Sequence, residues 1–122
     1  MPLVSIIIPC YNEQNTITLL LEALLQQTIP IEKLEIIISD GMSTDKTLEV
    51  VSRYQAAHSE MEIVLVENKQ KTIPSALNRA LEIAKGEFIV RMDAHSIPAK
   101  DYVNRCITAL SSGLGDNVGG VW

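Results

Sequence analysis

Apolar residues fall along the chain in two alternating rhythms. Val4-Ser5-Ile6-Ile7-Ile8, Glu35-Ile36-Ile37-Ile38-Ser39 and Glu62-Ile63-Val64-Leu65-Val66 are short and rich in β-branched residues. Ile89-Val90-Arg91-Met92-Asp93-Ala94-His95 begins the same way and ends in polar groups. Such runs read as strands covered on both faces. Between them the apolar positions open to helical spacing: Ile17, Leu20, Leu21, Leu24 and Leu25; Leu48, Val51 and Tyr54; Leu77, Ala80, Leu81 and Ala84; Val103, Cys106, Ile107 and Leu110. Each set is a stripe that a helix turns toward a sheet.

Punctuation supports the division. Pro9 is expected to end the first strand, and Asn12 or Asn15 to cap the first helix, which Thr28-Ile29-Pro30 stops. Ser43 or Thr44 is expected to cap the second helix, with Asp45 in its first turn. Pro74 suits the first turn of the third helix. Gly86, after Lys85, reads as a left-handed helix terminator. The order β-α-β-α-β-α-β-α with short connections predicts an α/β fold, a mostly parallel sheet with helices on both faces. Residues 1–122 read as one domain. The run Val118-Gly119-Gly120-Val121-Trp122 resembles the start of another element, so the chain is expected to be part of a longer protein.

Composition narrows the function. Apolar residues make up 47% of the 122 and charged ones 20%, ordinary for a globular domain. Aromatics at 4% leave an aliphatic core, and a net charge of −5 disfavours nucleic acid or an anionic membrane as a general partner. No apolar run approaches the ~18–20 residues of a membrane span, and the start lacks a signal peptide's pattern. Cys10 and Cys106, with no C-x-x-C spacing, read as reduced thiols, so a cytoplasmic location is expected.

Polar groups gather where the strands end: Tyr11, Asn12 and Glu13; Asp40; Asn68 and Lys69; Asp93 and His95. Any one of them is an ordinary cap or turn residue. Together they mark the edge where open α/β sheets bind ligands. If the chain stays extended, Asp93 and His95 point the same way, and both suit a divalent cation. The P-loop, the G-x-G-x-x-G turn and the G-x-S-x-G elbow are absent. Cys10 with His95 would make a nucleophile–base pair, but no third residue orients it, and Cys10 reads as a small filler. A receiver-like signalling module has this size and layout. It would want an acidic cluster after the first strand and a phosphoacceptor Asp after the third, where the chain has Glu13 and Val66-Glu67-Asn68.

Val4 to Glu13, Ser39-Asp40-Gly41-x-Ser43-Thr44-Asp45-x-Thr47, Ala76-Leu77-Asn78, Ala84-x-Gly86-Glu87 and Asp93-Ala94-His95 together resemble family 2 glycosyltransferases of the GT-A fold. Bacterial exopolysaccharide transferases of the succinoglycan type share the Arg-x-Asp-Ala-His form. The resemblance implies the nucleotide-binding, Rossmann-like half of a GT-A domain. It implies a nucleotide-diphosphate-sugar donor, usually UDP-linked, and inverting transfer to a polysaccharide or lipid-linked acceptor, often at the cytosolic face of a membrane. Pro9, Tyr11 and Glu13 match the nucleoside-binding loop, and Asp40 the carboxylate that bonds the base. Asp93-Ala94-His95 matches the Asp-x-Asp motif that holds the metal, ribose and diphosphate. Lys69 and Lys71 would add positive charge near the phosphates. A non-enzymatic sugar-nucleotide binder is the other reading of the same motifs.

The chain departs from the pattern in three places. His95 replaces the second Asp, so Mn²⁺ is expected to serve better than Mg²⁺. Ser39 stands where many members carry an Asp, and the Asn68-Lys69-Gln70-Lys71 loop lacks the usual glycine. The general base is expected beyond Trp122, which would leave these residues inactive by themselves.

Overall fold

The computed structural model describes residues 2–111. The strands are β1 (Val4–Cys10), β2 (Leu34–Asp40), β3 (Glu62–Glu67) and β4 (Phe88–Arg91). The helices are α1 (Ile17–Leu25), α2 (Thr47–Ala57), α3 (Ile73–Ile83) and α4 (Tyr102–Ser111), with a 3-10 turn at Ile31–Lys33. All strand pairs are parallel, in the order β3-β2-β1-β4. The expected α/β architecture is therefore present. The tail from Val118 to Trp122 lies outside the described residues.

Strand periodicity splits the apolar runs between two faces. Ile6, Ile8, Ile36 and Ile38 join Leu20, Leu21, Leu24, Val51, Val103 and Cys106 in one core, so α1, α2 and α4 cover that face. Ile7 and Ile37 pack with Ala80 of α3 on the other. The chain steps outward from β1 to β3, then crosses back over the sheet to β4 on β1's far side. Right-handed crossovers in opposite directions put their helices on opposite faces. The reversal falls between β1 and β4, and a crevice opens at such a point beyond the strand ends.

Several local expectations change. β1 runs through Pro9 to Cys10. Ile7 accepts from the N–H of Met92, so the same edge of β1 faces β4 at Pro9, but β4 has already ended at Arg91. Proline's missing N–H costs the sheet nothing there. Thr16, not Asn12 or Asn15, precedes α1. Ser43 and Thr44 do not cap α2; Asp45 accepts from the N–H and hydroxyl of Thr47 at its start. That phase buries Thr47, Val51 and Tyr54 and leaves Leu48 exposed. In α3, Ala76 and Ala80 are buried while Leu81 is exposed. Gly86 is not a left-handed terminator: α3 is closed by extended Ala84. A Cβ on Gly86 would lie 2.5 Å from the backbone nitrogen of Ser5, so close approach demands glycine.

Candidate functional site

A cleft of about 200 Å³ sits at the reversal point between β1 and β4. Pro9 lines it from the end of β1, Tyr11 and Glu13 from the loop that follows, Asp93 and His95 from the turn after β4, and Asn68, Lys71 and Thr72 from the approach to α3. Gly41, Ile73, Ala76 and Ala94 add to the wall.

The loop after β1 is held by the loop after β2. The N–H of Asn12 donates to Ser43 Oγ (2.9 Å), and Asn12 Oδ1 accepts from the N–H of Thr44 (2.8 Å). Asn12 adopts φ 50°, a left-handed conformation that asparagine tolerates well. This bend leaves Tyr11 half exposed at the cleft, with its Cδ1 3.7 Å from where a Cβ on Gly41 would stand. Glu13 donates its N–H to buried Thr47 Oγ1 (2.9 Å), and its carboxylate accepts from Thr16 Oγ1 (2.6 Å). Asp45 supports the same corner. Desolvation opposes its ionisation, but bonds from Thr47 and the N–H of Gln14 hold its carboxyl below the usual range.

Asp93 and His95 both reach the cleft, though not as one strand face. β4 ends at Arg91, and the N–H of Ser96 closes a turn onto the carbonyl of Asp93 (3.0 Å). The premise of extended backbone therefore fails, and the turn supplies the convergence. Asp93 Oδ1 lies 3.4 Å from the Arg91 guanidinium, and its side chain remains 55% exposed. His95 Nδ1 lies 3.8 Å from Glu13 Oε1.

Asp40 and Lys69 are placed elsewhere. The Asp40 carboxylate is buried and accepts from the Ser43 N–H (2.8 Å) and hydroxyl (2.6 Å). It opens on an adjoining groove of about 330 Å³ with Met42, Leu48 and Val66. Lys69 lines a separate polar groove with Asn78 and Arg79. Lys71, at φ 65°, is the lysine that the loop turns into the cleft. Cys10 also lines the cleft, but burial, with Asp40, Glu13 and Asp45 nearby, pushes its thiol up to about 12. A thiol that stays protonated is no nucleophile, so Cys10 acts as a filler.

Asn68, grouped in the sequence with Lys69 among the polar residues at the strand ends, does line the cleft, but its role there is structural. It reads as a loop residue but is buried, donating to Thr72 O (2.9 Å) and accepting from Ser75 Oγ (2.8 Å). These bonds set the first turn of α3 against the cleft.

Whether these side chains suit a metal can be judged from the donors. Among the described residues, no three His, Cys, Asp or Glu side chains form a group that could hold one. Asp93 and His95 fit a cation that takes its remaining ligands from a bound anion: one hard oxygen donor and one imidazole, both open to solvent.

The profile of glycosyl transferase family 2 matches residues 5–122. The chain belongs to this family. A dolichyl N-acetyl-α-D-glucosaminyl phosphate 3-β-D-2,3-diacetamido-2,3-dideoxy-β-D-glucuronosyltransferase of Methanococcus voltae is 38% identical over 107 residues, 88% of this chain and 33% of the relative. Succinoglycan biosynthesis protein ExoA of Rhizobium meliloti is 34% identical over 111 residues, 88% of this chain and 33% of that one. Among solved structures, the mannosyltransferase PcManGT of Pyrobaculum calidifontis, in complex with GDP-Man and Mn²⁺, superposes with a TM-score of 0.85 at 36% identity. It is matched over 90% of this chain and 32% of its own. TarS of S. aureus, in complex with UDP, gives 0.77 at 27% identity, with the same 90% and 32% coverage. The chain thus spans about a third of these family 2 relatives. The fold is that of GT-A glycosyltransferases, and a receiver-like module is set aside.

Proposed function

We propose that this chain is the donor-binding part of a glycosyltransferase that takes its sugar from a nucleotide diphosphate, UDP-linked by preference. The observation that carries the reading is the convergence of Tyr11, Lys71, Asp93 and His95 on one cleft where the sheet reverses. Family membership supports it, as do relatives solved with UDP and with GDP-Man and Mn²⁺.

Each residue has a physical task in this reading. Tyr11 offers an aromatic face to the base. Asp40, already held by Ser43, keeps spare lone pairs for a base N–H and repels carbonyl acceptors. Lys71 and the N-terminus of α3 supply positive potential for a diphosphate in a chain of net charge −5. Lys69, on its separate groove, contributes only at longer range. Asp93 and His95 would hold a divalent cation, Mn²⁺ in preference to Mg²⁺ because one donor is nitrogen. Such a cation, when bound, offsets the charge that grows on the departing diphosphate. Transfer proceeds with inversion to a saccharide or lipid-linked acceptor at the cytosolic face of a membrane, and the general base lies beyond Trp122.

Titration calorimetry with UDP tests this directly. Binding is expected with Mn²⁺, weaker with Mg²⁺ and weakest with chelator. No UDP binding under any of the three conditions would defeat the donor reading. Equal affinity with both metals would remove only the manganese preference. Sugar transfer by a longer form carrying an acidic residue at the base position separates an enzyme from a non-enzymatic binder.

A further inference from the structure

We infer that Glu13 is a positioning residue for His95: its carboxylate takes the imidazole Nδ1–H and leaves Nε2 as the nitrogen with the free lone pair. This deepens the donor reading above and rests on it. It also moves Glu13 away from direct contact with the nucleoside.

The carboxylate is fixed before it meets the ring. Thr16 Oγ1 donates to Glu13 Oε2 at 2.6 Å, while the Glu13 carbonyl accepts from the N–H groups of Thr16 and Ile17 at the start of α1. Behind it, the Glu13 N–H donates to Thr47 Oγ1, and that hydroxyl donates to Asp45 Oδ1. A line of hydrogen bonds therefore runs from the start of α2 to the Glu13 backbone, and α1 grips the side chain. The remaining oxygen, Oε1, faces His95 Nδ1 at 3.8 Å. That is too long for a formed hydrogen bond. The His95 side chain is 65% exposed against 25% for Glu13, so the ring is the partner free to close the gap.

The chemistry gives the contact a purpose. An exposed imidazole chooses its tautomer freely, and only the unprotonated nitrogen can be a ligand. A carboxylate at the other ring nitrogen fixes tautomer and orientation and raises ligand basicity, and losing such a partner typically costs about 10–100-fold in metal affinity. Where the second motif residue is a carboxylate, no tautomer needs choosing. The histidine creates the requirement, and Glu13 stands where it can be met.

Nitrogen-15 NMR of the chain at pH 8 reads the tautomer without metal or nucleotide. His58 is an internal reference, because its Nδ1 lies 3.1 Å from the carbonyl of Tyr54, which can only accept. His95 is expected to match the Nδ1–H pattern of His58 and to revert to Nε2–H in Glu13→Leu. Calorimetry supplies the second readout. Glu13→Leu should lower the manganese-dependent part of UDP affinity about tenfold or more and have no further effect on that part in a His95→Ala background. Glu13→Gln, which keeps an acceptor oxygen, should recover much of the loss. An Nε2–H tautomer in the unmodified chain, or an equal loss from Glu13→Leu with and without His95, overturns the inference and leaves the donor reading standing. UDP binding that ignores manganese in the unmodified chain overturns the cation reading and this inference together.

Discussion

The two ends of the sheet treat carboxylates in opposite ways. At the amino end, Glu35 is 1% exposed, yet one oxygen accepts from Ser5 Oγ (2.6 Å) and the Lys85 N–H (2.9 Å), while Ser5 Oγ accepts from the Gly86 N–H (2.8 Å). The acid is used up in pinning the α3–β4 connection to β1 and β2. At the carboxyl end, Asp93 is open to water with a guanidinium at 3.4 Å. The backbone differs too. The left-handed non-glycine residues Asn12, Met42 and Lys71 all lie in loops beyond the strand ends. Each such conformation typically costs about 1–3 kcal/mol. The amino end buries its acid to hold the fold; the carboxyl end braces its loops with Asp40, Asp45 and Asn68 but leaves Asp93 available and tolerates strain.

The largest effect should come from the amino end. Glu35→Leu would leave the Ser5 hydroxyl and Lys85 N–H without their partner, at about 1–3 kcal/mol each. A loss of about 4 kcal/mol is expected by denaturant unfolding, with Gly86→Ala also destabilising because its Cβ meets the backbone of Ser5 and Val4. Unfolding midpoints within experimental error of the parent would break the contrast, since the buried acid would then hold nothing.

Next is the mirror experiment at the carboxyl end. Asp93→Ala should change stability by less than about 0.5 kcal/mol, as exposed substitutions do. It should reduce manganese-dependent UDP affinity by about 100-fold, the upper part of the range seen even for partners one step removed from a metal. A stability loss as large as that of Glu35→Leu would mean that Asp93 is also a structural acid. Tyr11→Ala comes third, at about tenfold in UDP affinity, taking ~1–3 kcal/mol for a base stacked on an aromatic ring. An unchanged affinity would move the base off Tyr11.

How legible each end was in the sequence follows from the same division. The apolar runs around Ile6 to Ile8 and Ile36 to Ile38 announced a doubly covered parallel sheet, and the structure buries them fully. Tyr11, Asp93 and His95 were legible as neighbours at one edge because they follow strands, and the structure brings them to one cleft. Glu35 was not, since a glutamate opening a strand reads as solvated, and only the α3–β4 connection, 50 residues later, satisfies it. Gly86 was misread for a related reason: close approach to Ser5 is a tertiary fact that local turn chemistry does not encode. Spacing alone turns Leu48 and Leu81 inward, but the buried stripes, which keep Val51, Tyr54 and Ala80, run through Thr47 and Ala76 and leave both leucines exposed. Lys71 and Lys69 differ by a left-handed backbone at Lys71, which spacing cannot reveal.

Cys10 gives the smallest effect and the finest test of the comparison, because it is a buried group at the open end. Its thiol, raised to about 12 chiefly by burial, remains protonated through the neutral range. Alkylation of Cys10 at pH 8 should therefore proceed only as fast as the chain unfolds. Because the folded value lies above the ordinary 9.0, the folded state keeps a proton that the unfolded state releases. The associated stability is fully present below pH 9.0 and is lost as pH rises toward about 12. Cys10→Ala should flatten that alkaline decline while changing UDP affinity less than twofold. Rapid labelling of the folded chain at pH 8 would mean that the floor of the cleft is open to solvent. The carboxyl end would then be soft down to the sheet itself, rather than only in the loops that carry Asn12, Met42 and Lys71.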